Sequence, residues 1–377
     1  MAPAPRIYLD ANATTPLDSR VRAAMEPFLD CGNASSPHLE GRDARAAIDR
    51  AREQVAALLG ATPREIVFTS GGTEANALAL LGTIAARRAT RALCSAVEHP
   101  SVLRTLESLR PAVDVVVAPV DGEARVAADL GIPEGTGLVS VMLANNETGT
   151  IQPVAEIAAR ARASGAVAHT DGVQACGKMP VDVRALGVDL LSLSAHKIHG
   201  PKGAGALFVR RGVRLAPVFH GGEHERGLRS GTENVAAIVG FGAAAELAAR
   251  ELPGRTERWA RLTGLLADGV RARVAGVLVN SPESGRVPNT VNLTIPGAEG
   301  EAVLLGLDLE GIAVATGSAC SSGAAEPSHV LQAMGRTRTE TEQSIRISLH
   351  AESSEGDVAA CLNALARVVK NLRALHV

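Results

Sequence analysis

The segment Ser194-Ala195-His196-Lys197-Ile198-His199-Gly200-Pro201-Lys202-Gly203 sets a lysine directly behind the apolar run Leu190–Ser194 and between two histidines. A solvated surface charge is a poor explanation of that position. Desolvation lowers the pKa of an amine and makes it nucleophilic, which is what Schiff-base chemistry requires. The candidates are few, since only four of the 38 basic residues are lysines: Lys178, Lys197, Lys202 and Lys370. Lys202 lies in a Gly-Pro-Lys-Gly loop and competes with Lys197, while Lys370 falls on an amphipathic terminal helix and reads as solvated.

Two further groups suit the same chemistry. In Thr69-Ser70-Gly71-Gly72-Thr73-Glu74-Ala75-Asn76 a strand ends in paired glycines at the start of a helix. Unpaired backbone N–H groups and the helix dipole favour an anion there, so Gly72 and Thr73 could cradle a phosphate. The plainer alternative is a glycine turn with Thr73 as N-cap. Asp171 follows the run Ala166–Thr170 and could hold a cationic ring nitrogen, although Asp also starts turns. Gln174 stands where it could reach the same ligand. A phosphate cup, a carboxylate for a ring nitrogen and a desolvated lysine together form the parts list for pyridoxal phosphate.

These groups need a scaffold that brings strand ends together. Strand-type runs are Ile66–Thr69, Ala92–Ala96, Val113–Ala118, Leu138–Leu143, Ala166–Thr170, Leu190–Ser194 and Ala206–Arg210, with helix-period segments such as Asp43–Leu59, Glu74–Arg87 and Val154–Ala163 between many of them. Such alternation predicts an α/β domain with a mostly parallel sheet, whose ligands sit outside the carboxyl ends of the strands. An alanine-rich helix from Glu233 to about Leu252 is expected to break at Pro253-Gly254, with a second helix near Glu257–Val274 leading into a smaller α+β unit. Its expected strands are Val277–Val279, Thr290–Thr294 and Ile345–Leu349, and its helices Glu301–Leu307, Ser328–Met334 and Glu355–Leu372.

The 377 residues suit two domains, and 46% hydrophobic against 21% charged residues is a globular balance. A net charge of −2 and 2% aromatics supply neither the basic excess nor the stacking platforms of a nucleic-acid binder. The N-terminus does not read as a signal peptide, and the longest alanine-rich stretch is too short for a bilayer, so a soluble, cytoplasmic protein is expected. The cysteines Cys31, Cys94, Cys176, Cys320 and Cys361 are odd in number and include no CxxC pair, so neither a disulfide framework nor a metal site is expected. Cys320 stands apart, in the small-residue stretch Ala315-Thr316-Gly317-Ser318-Ala319-Cys320-Ser321-Ser322-Gly323. That setting suits a thiolate that must visit a cofactor and then present its cargo elsewhere.

The stretches YLDANATTP (8–16), TSGGTEAN (69–76), EH (98–99), NNETG (145–149), TDGVQ (170–174), SAHKIHGPKGAGAL (194–207) and GGEHERGLRSGTEN (221–234) resemble the cysteine desulfurases of the NifS/IscS kind. These belong to the class V aminotransferase group of fold-type I pyridoxal phosphate enzymes, and the match runs in order from about Ile7 to Leu372. The resemblance implies a large α/β cofactor domain over residues 16–252 and a small α+β domain formed by 1–15 plus 253–377, in a homodimer.

Position by position, it implies that Lys197 binds pyridoxal 5′-phosphate covalently, Asp171 pairs with its ring nitrogen and Gln174 bonds its ring hydroxyl. His99 would stack on the ring and handle protons. Thr73, Ser194 and His196 would hold the phosphate, with Thr232 reaching in from the neighbouring subunit. Asn146 would lie near the ring hydroxyl and the substrate carboxylate, Arg346 would clamp that carboxylate and Asn33 would lie close to it. Cys320 would receive sulfur from L-cysteine, leaving L-alanine and a persulfide for a sulfur-acceptor protein such as an iron–sulfur scaffold or a thiolation enzyme. His350-Ala351 stands where many members have Gly-Arg, which leaves the acceptor open. The rival readings are a selenocysteine lyase or another class V lyase or transaminase, which would need no such thiol, and a silent scaffold, which would need no reactive lysine.

Overall fold

The computed structural model describes residues 6–316 and 327–375. In chain order its strands are β1 (Ile7–Tyr8), β2 (Ile66–Thr69), β3 (Arg91–Ser95), β4 (Asp114–Ala118), β5 (Leu138–Ser140), β6 (Val167–Asp171), β7 (Leu190–Ser194), β8 (Gly205–Val209), β9 (Leu278–Val279), β10 (Thr290–Thr294), β11 (Ile312–Ala313), β12 (Ala315–Thr316) and β13 (Ser344–Ser348). Strands β2 to β8 form one sheet in the order β2-β8-β7-β6-β5-β3-β4. Every pair is parallel except the two made by β8, which runs against β2 and β7.

Both faces of this sheet are covered, so its strands are apolar at successive positions. Ile66, Phe68, Leu191, Leu193, Ala206 and Phe208 pack into the core on one face. Val67, Leu190, Leu207 and Val209 pack into a second core on the other. The period-two alternation decides which residue goes where. With aromatics scarce, Phe68 meets Phe241 edge-on at 6.3 Å and alanines fill the remaining volume.

A third core joins Leu9 to Trp259, Leu266, Val291, Ile347 and Leu365 around the antiparallel sheet β12-β13-β10-β9. The chain's first strand enters here, since β1 pairs with β11 in parallel.

The expected break at Pro253 does not occur. A single helix, Val235–Arg273, runs through it for 39 residues. Proline cannot donate to the carbonyl of Ala249, but Ala249, Pro253 and Gly254 are all exposed, and water can satisfy the orphaned oxygen. The opposite face buries Arg255, Trp259, Leu262 and Leu266, which holds the helix together across the defect. The run Leu138–Leu143 is also a shorter strand than expected. Val141 and Leu143 still donate to His169 and Asp171, but the amide of Met142 is taken by the side chain of Glu98, 2.7 Å away. The helices Ser19–Met25 and Pro100–Glu107 are not among those expected, although Asp18 caps the first and Pro100 opens the second.

Candidate active site

Strands β2, β6 and β7 end around a cavity of about 220 Å³. It collects Gly72, Thr73, His99, Asn146, Asp171, Gln174, Ser194, His196 and Lys197, all expected from the sequence. A wider cleft of about 710 Å³ opens around Arg250, Glu251 and Glu352, but no strand-end group lines it. The smaller cavity holds the reactive lysine, and chemistry outranks size.

At one end β2 turns through Gly71 into the helix Gly72–Arg87. The cap position belongs to Gly71, which offers no side chain, so Thr73 is not the N-cap and lines the cavity instead. A Cβ on Gly205 would lie 2.6 Å from Gly71 Cα, so only glycine lets β8 approach the cup this closely. Facing the helix start is Ser194, whose hydroxyl oxygen is buried and has no hydrogen-bond partner among the described residues. A buried hydroxyl beside unpaired helix amides is a site waiting for an acceptor-rich anion.

Asp171 ends β6 and is buried. It accepts from the amide of Val173 at 2.9 Å and from Asn76 Nδ2 at 2.7 Å. Asn76 also donates to Ser101 Oγ at 2.9 Å, which lies 2.7 Å from His99 Nδ1. The amide of Ser101 donates to the same nitrogen, so a neutral His99 ring carries its proton on Nε2. Burial lowers the His99 pKa, which favours that neutral ring.

Lys197 follows β7 in a tight turn and donates to the carbonyls of Asn12 at 2.5 Å and Ala13 at 2.7 Å. Burial, helped by the Arg346 guanidinium, pulls its pKa down to about 8. Its neighbour His196 is pushed down to about 4 by burial and the surrounding lysines. The turn is held by the N-terminal segment, with Thr15 Oγ1 donating to the His196 carbonyl at 2.9 Å and the His199 amide donating back to Thr15 Oγ1 at 2.7 Å.

These groups match pyridoxal 5′-phosphate: an anion cup with an unpartnered hydroxyl, a buried carboxylate, and an amine activated by burial. The sequence from Ile7 to Cys361 matches the family model described as Aminotransferase class-V. The chain belongs to the class V aminotransferase family. It is 44% identical to the cysteine desulfurase IscS of Dictyoglomus turgidum, over 98% of this chain and 96% of that one. A solved structure described as a NifS-like protein superposes with a TM-score of 0.91 at 37% identity, covering 97% of this chain and all of that one. Another, SspA in complex with cysteine, gives a TM-score of 0.82 at 34% identity over 91% of this chain and 98% of that one.

In this class V chain Arg346 does not line the cavity but touches Asn146, which does. It donates to the carbonyl of Asn146 at 3.1 Å and pairs with Asp10 at 2.7 Å, and its Nε has no partner among the described residues. Asn33 and Thr232 are exposed and do not line the cavity of this chain. Asn33 caps its own loop by accepting from the Ser35 amide at 2.8 Å. Cys320 lies outside the described residues. Cys94, Cys176 and Cys361 are buried, and burial pushes each thiol up to about 12, which suits structural roles.

Sequence reasoning left several polar groups without a part. Asn12 binds both Asn146 and Thr290 through its amide, at 3.0 and 2.8 Å. Glu98 and Glu147 are buried carboxylic acids, pushed up by burial to about 8 and about 7. Their neighbours in sequence, His99 and Asn146, line the cavity. Ser328 donates to Glu147, and His329 lies 3.0 Å from the Glu98 carbonyl, so the chain re-enters described structure pinned beside the cavity. The usable signal was the position of both acids in the motifs EH and NNETG. No helix among the described residues is long and apolar enough to cross a membrane.

Proposed function

We propose that this chain is a pyridoxal 5′-phosphate-dependent cysteine desulfurase that takes sulfur from L-cysteine, releases L-alanine and hands the sulfur from Cys320 to an acceptor protein. The observation that carries the reading is the burial-activated amine of Lys197 in one cavity with Asp171 and the unpartnered hydroxyl of Ser194. The names of relatives more than 40% identical over nearly the whole chain support the choice of reaction within the family.

When bound, pyridoxal 5′-phosphate supplies an electron sink that stabilises negative charge at the substrate Cα. Gly72, Thr73, Ser194 and His196 would hold its phosphate, Asp171 would pair with its ring nitrogen, Gln174 and Asn146 would bond its ring hydroxyl, and Lys197 would anchor it. Lys197 Nζ, with a pKa near 8, can release and regain a proton near neutral pH, which suits proton transfer at Cα. His99, with its proton on Nε2, is the second proton carrier. Arg346 offers a planar guanidinium to the substrate carboxylate, in exchange for its contact with Asp10, and Asn33 assists at the same end. The Cys320 thiolate receives the substrate sulfur as a persulfide.

Residues 16–252, and 1–15 with 253–377, act as the two units of each protomer, with the substrate between them. The exposure of Thr232 suits its reaching a second copy in a homodimer. Incubating the protein with L-cysteine tests the reading. Alanine should form stoichiometrically with a mass increase of one sulfur on the Cys320 peptide, whereas alanine without that increase would refute it.

A further inference from the structure

Lys178 is one of four lysines, is 3% exposed, and has no part in the chemistry above. Among the described residues no carboxylate hydrogen-bonds to it. Its ammonium donates to Gln174 Oε1 and, at 2.7 Å, to Asn12 Oδ1, both neutral amide oxygens. Burying a cation against neutral partners is costly, and burial with Lys197 and Arg346 nearby lowers its pKa well below the ordinary lysine value. A residue kept at that cost needs a role.

The hydrogen-bond pattern supplies one. As an ammonium the lysine nitrogen has no lone pair, so it directs only N–H groups at these two oxygens. Gln174 must therefore turn Oε1 towards Lys178, and Nε2 then points the other way, where it meets the Asn12 carbonyl at 3.0 Å. Flipping the amide would set nitrogen against nitrogen at one end and oxygen against oxygen at the other. Both contacts would be lost together. Lys178 and the Asn12 carbonyl thus hold Gln174 with Oε1 towards the lysine and Nε2 towards the segment that also receives Lys197. Through Asn12 Oδ1 Lys178 also steadies the residue whose carbonyl receives Lys197.

We propose that Lys178 is a positioning residue that fixes Gln174 with its amide nitrogen presented to the ring hydroxyl of the cofactor. The inference rests on the cofactor reading above and adds a residue that acts only through Gln174. The test compares the holoenzyme, Lys178→Met, Gln174→Leu and the double variant. Two properties are read: the dissociation constant for pyridoxal 5′-phosphate, and the pH midpoint of the visible band.

Lys178→Met should weaken cofactor retention about two- to tenfold, the value of one neutral hydrogen bond, and should move the pH midpoint of the band. In the Gln174→Leu background the same change should have no further effect on either readout. Lys178→Gln, which keeps a donor and loses the charge, provides a second variant and should keep the midpoint of the parent protein. Additive losses in the double variant, or a Lys178→Gln midpoint equal to that of Lys178→Met, would overturn the positioning role. Failure of borohydride to label Lys197 in the parent protein would overturn the cofactor reading and this inference together, whereas additivity with normal labelling overturns this inference alone.

Discussion

The carbonyl oxygen of Asn12 lies 2.5 Å from Lys197 Nζ, so the N-terminal segment caps the one amine that the cavity activates. That contact keeps the nitrogen at the strand end and out of bulk water. Such an enclosed amine sheds its proton more readily than one in solution, which is the sense of the shift to about 8.

Cofactor capture should therefore follow that ionisation. Stripped of cofactor and mixed with pyridoxal 5′-phosphate, the protein should react faster as pH rises, levelling off above a midpoint near 8. Lys197→Ala should remove colour, borohydride label and turnover, while Lys202→Ala should keep all three. A midpoint near that of a free lysine, or label on Lys202, would reject the assignment.

Arg346→Lys keeps the charge and loses the fork. An ammonium cannot supply two parallel bonds to a carboxylate, and losing one charge-assisted bond costs about 1.5–3 kcal/mol. The Michaelis constant for L-cysteine should rise roughly ten- to a hundredfold while Lys197 stays labelled. Steady-state kinetics with an unchanged constant would take Arg346 out of the substrate site.

Cys320→Ser should separate cofactor binding from sulfur transfer. The protein should stay yellow and bind L-cysteine, but a serine hydroxyl is hardly ionised at neutral pH and accepts sulfur poorly. Alanine release should collapse. Serine at Cys94, Cys176 or Cys361 should leave turnover intact. Persulfide mapping after a single turnover decides the matter, and first label on any cysteine but Cys320 would exclude the mechanism.

Glu147 gives a pH test of stability. Burial pushes its carboxyl from 4.5 up to about 7, against the opposing hydrogen bond from Ser328. Between those values the folded protein holds a proton that the unfolded chain has released, so stability falls as pH rises through the window. One such proton is worth about 1.4 kcal/mol per pH unit, and on the order of 3 kcal/mol across the range. Glu147→Gln keeps an acceptor for Ser328 and should flatten that part of the slope in urea titrations at stepped pH. An unchanged slope would show that Glu147 is ionised in the fold.

Much of this site could be read before any coordinates, for a physical reason. Strands covered on both faces are apolar at most positions, so Ile66–Thr69 and Leu190–Ser194 declare themselves, and their last residues declare the site. Lys178 did not, because its role depends on Asn12, which is 166 residues away in the chain. Pro253 misled for a related reason: a local breaker is judged by local rules, and only the packing of Trp259 and Leu262 shows that the helix survives it. Arg346 was legible as a guanidinium at a strand, but its pairing with Asp10 was not.

That pairing has a consequence for synthesis. Asp10 and Arg346 are 336 positions apart, as are Asn12 and Ser348, whose hydroxyl accepts the Asn12 amide at 2.9 Å. At roughly 5–20 residues per second, a ribosome leaves the first member of each pair waiting on the order of 20–60 s for the second. The ties from Asp10 and Asn12 to β13 cannot form until that strand has emerged, nearly at the end of translation. A nascent chain can complete its large sheet, and every residue that lines the cavity, long before this. Anchoring of Asp10 and Asn12 is thereby tied to near-completion of the polypeptide, whereas the contacts of Thr15 with His196 and His199 need not wait for it.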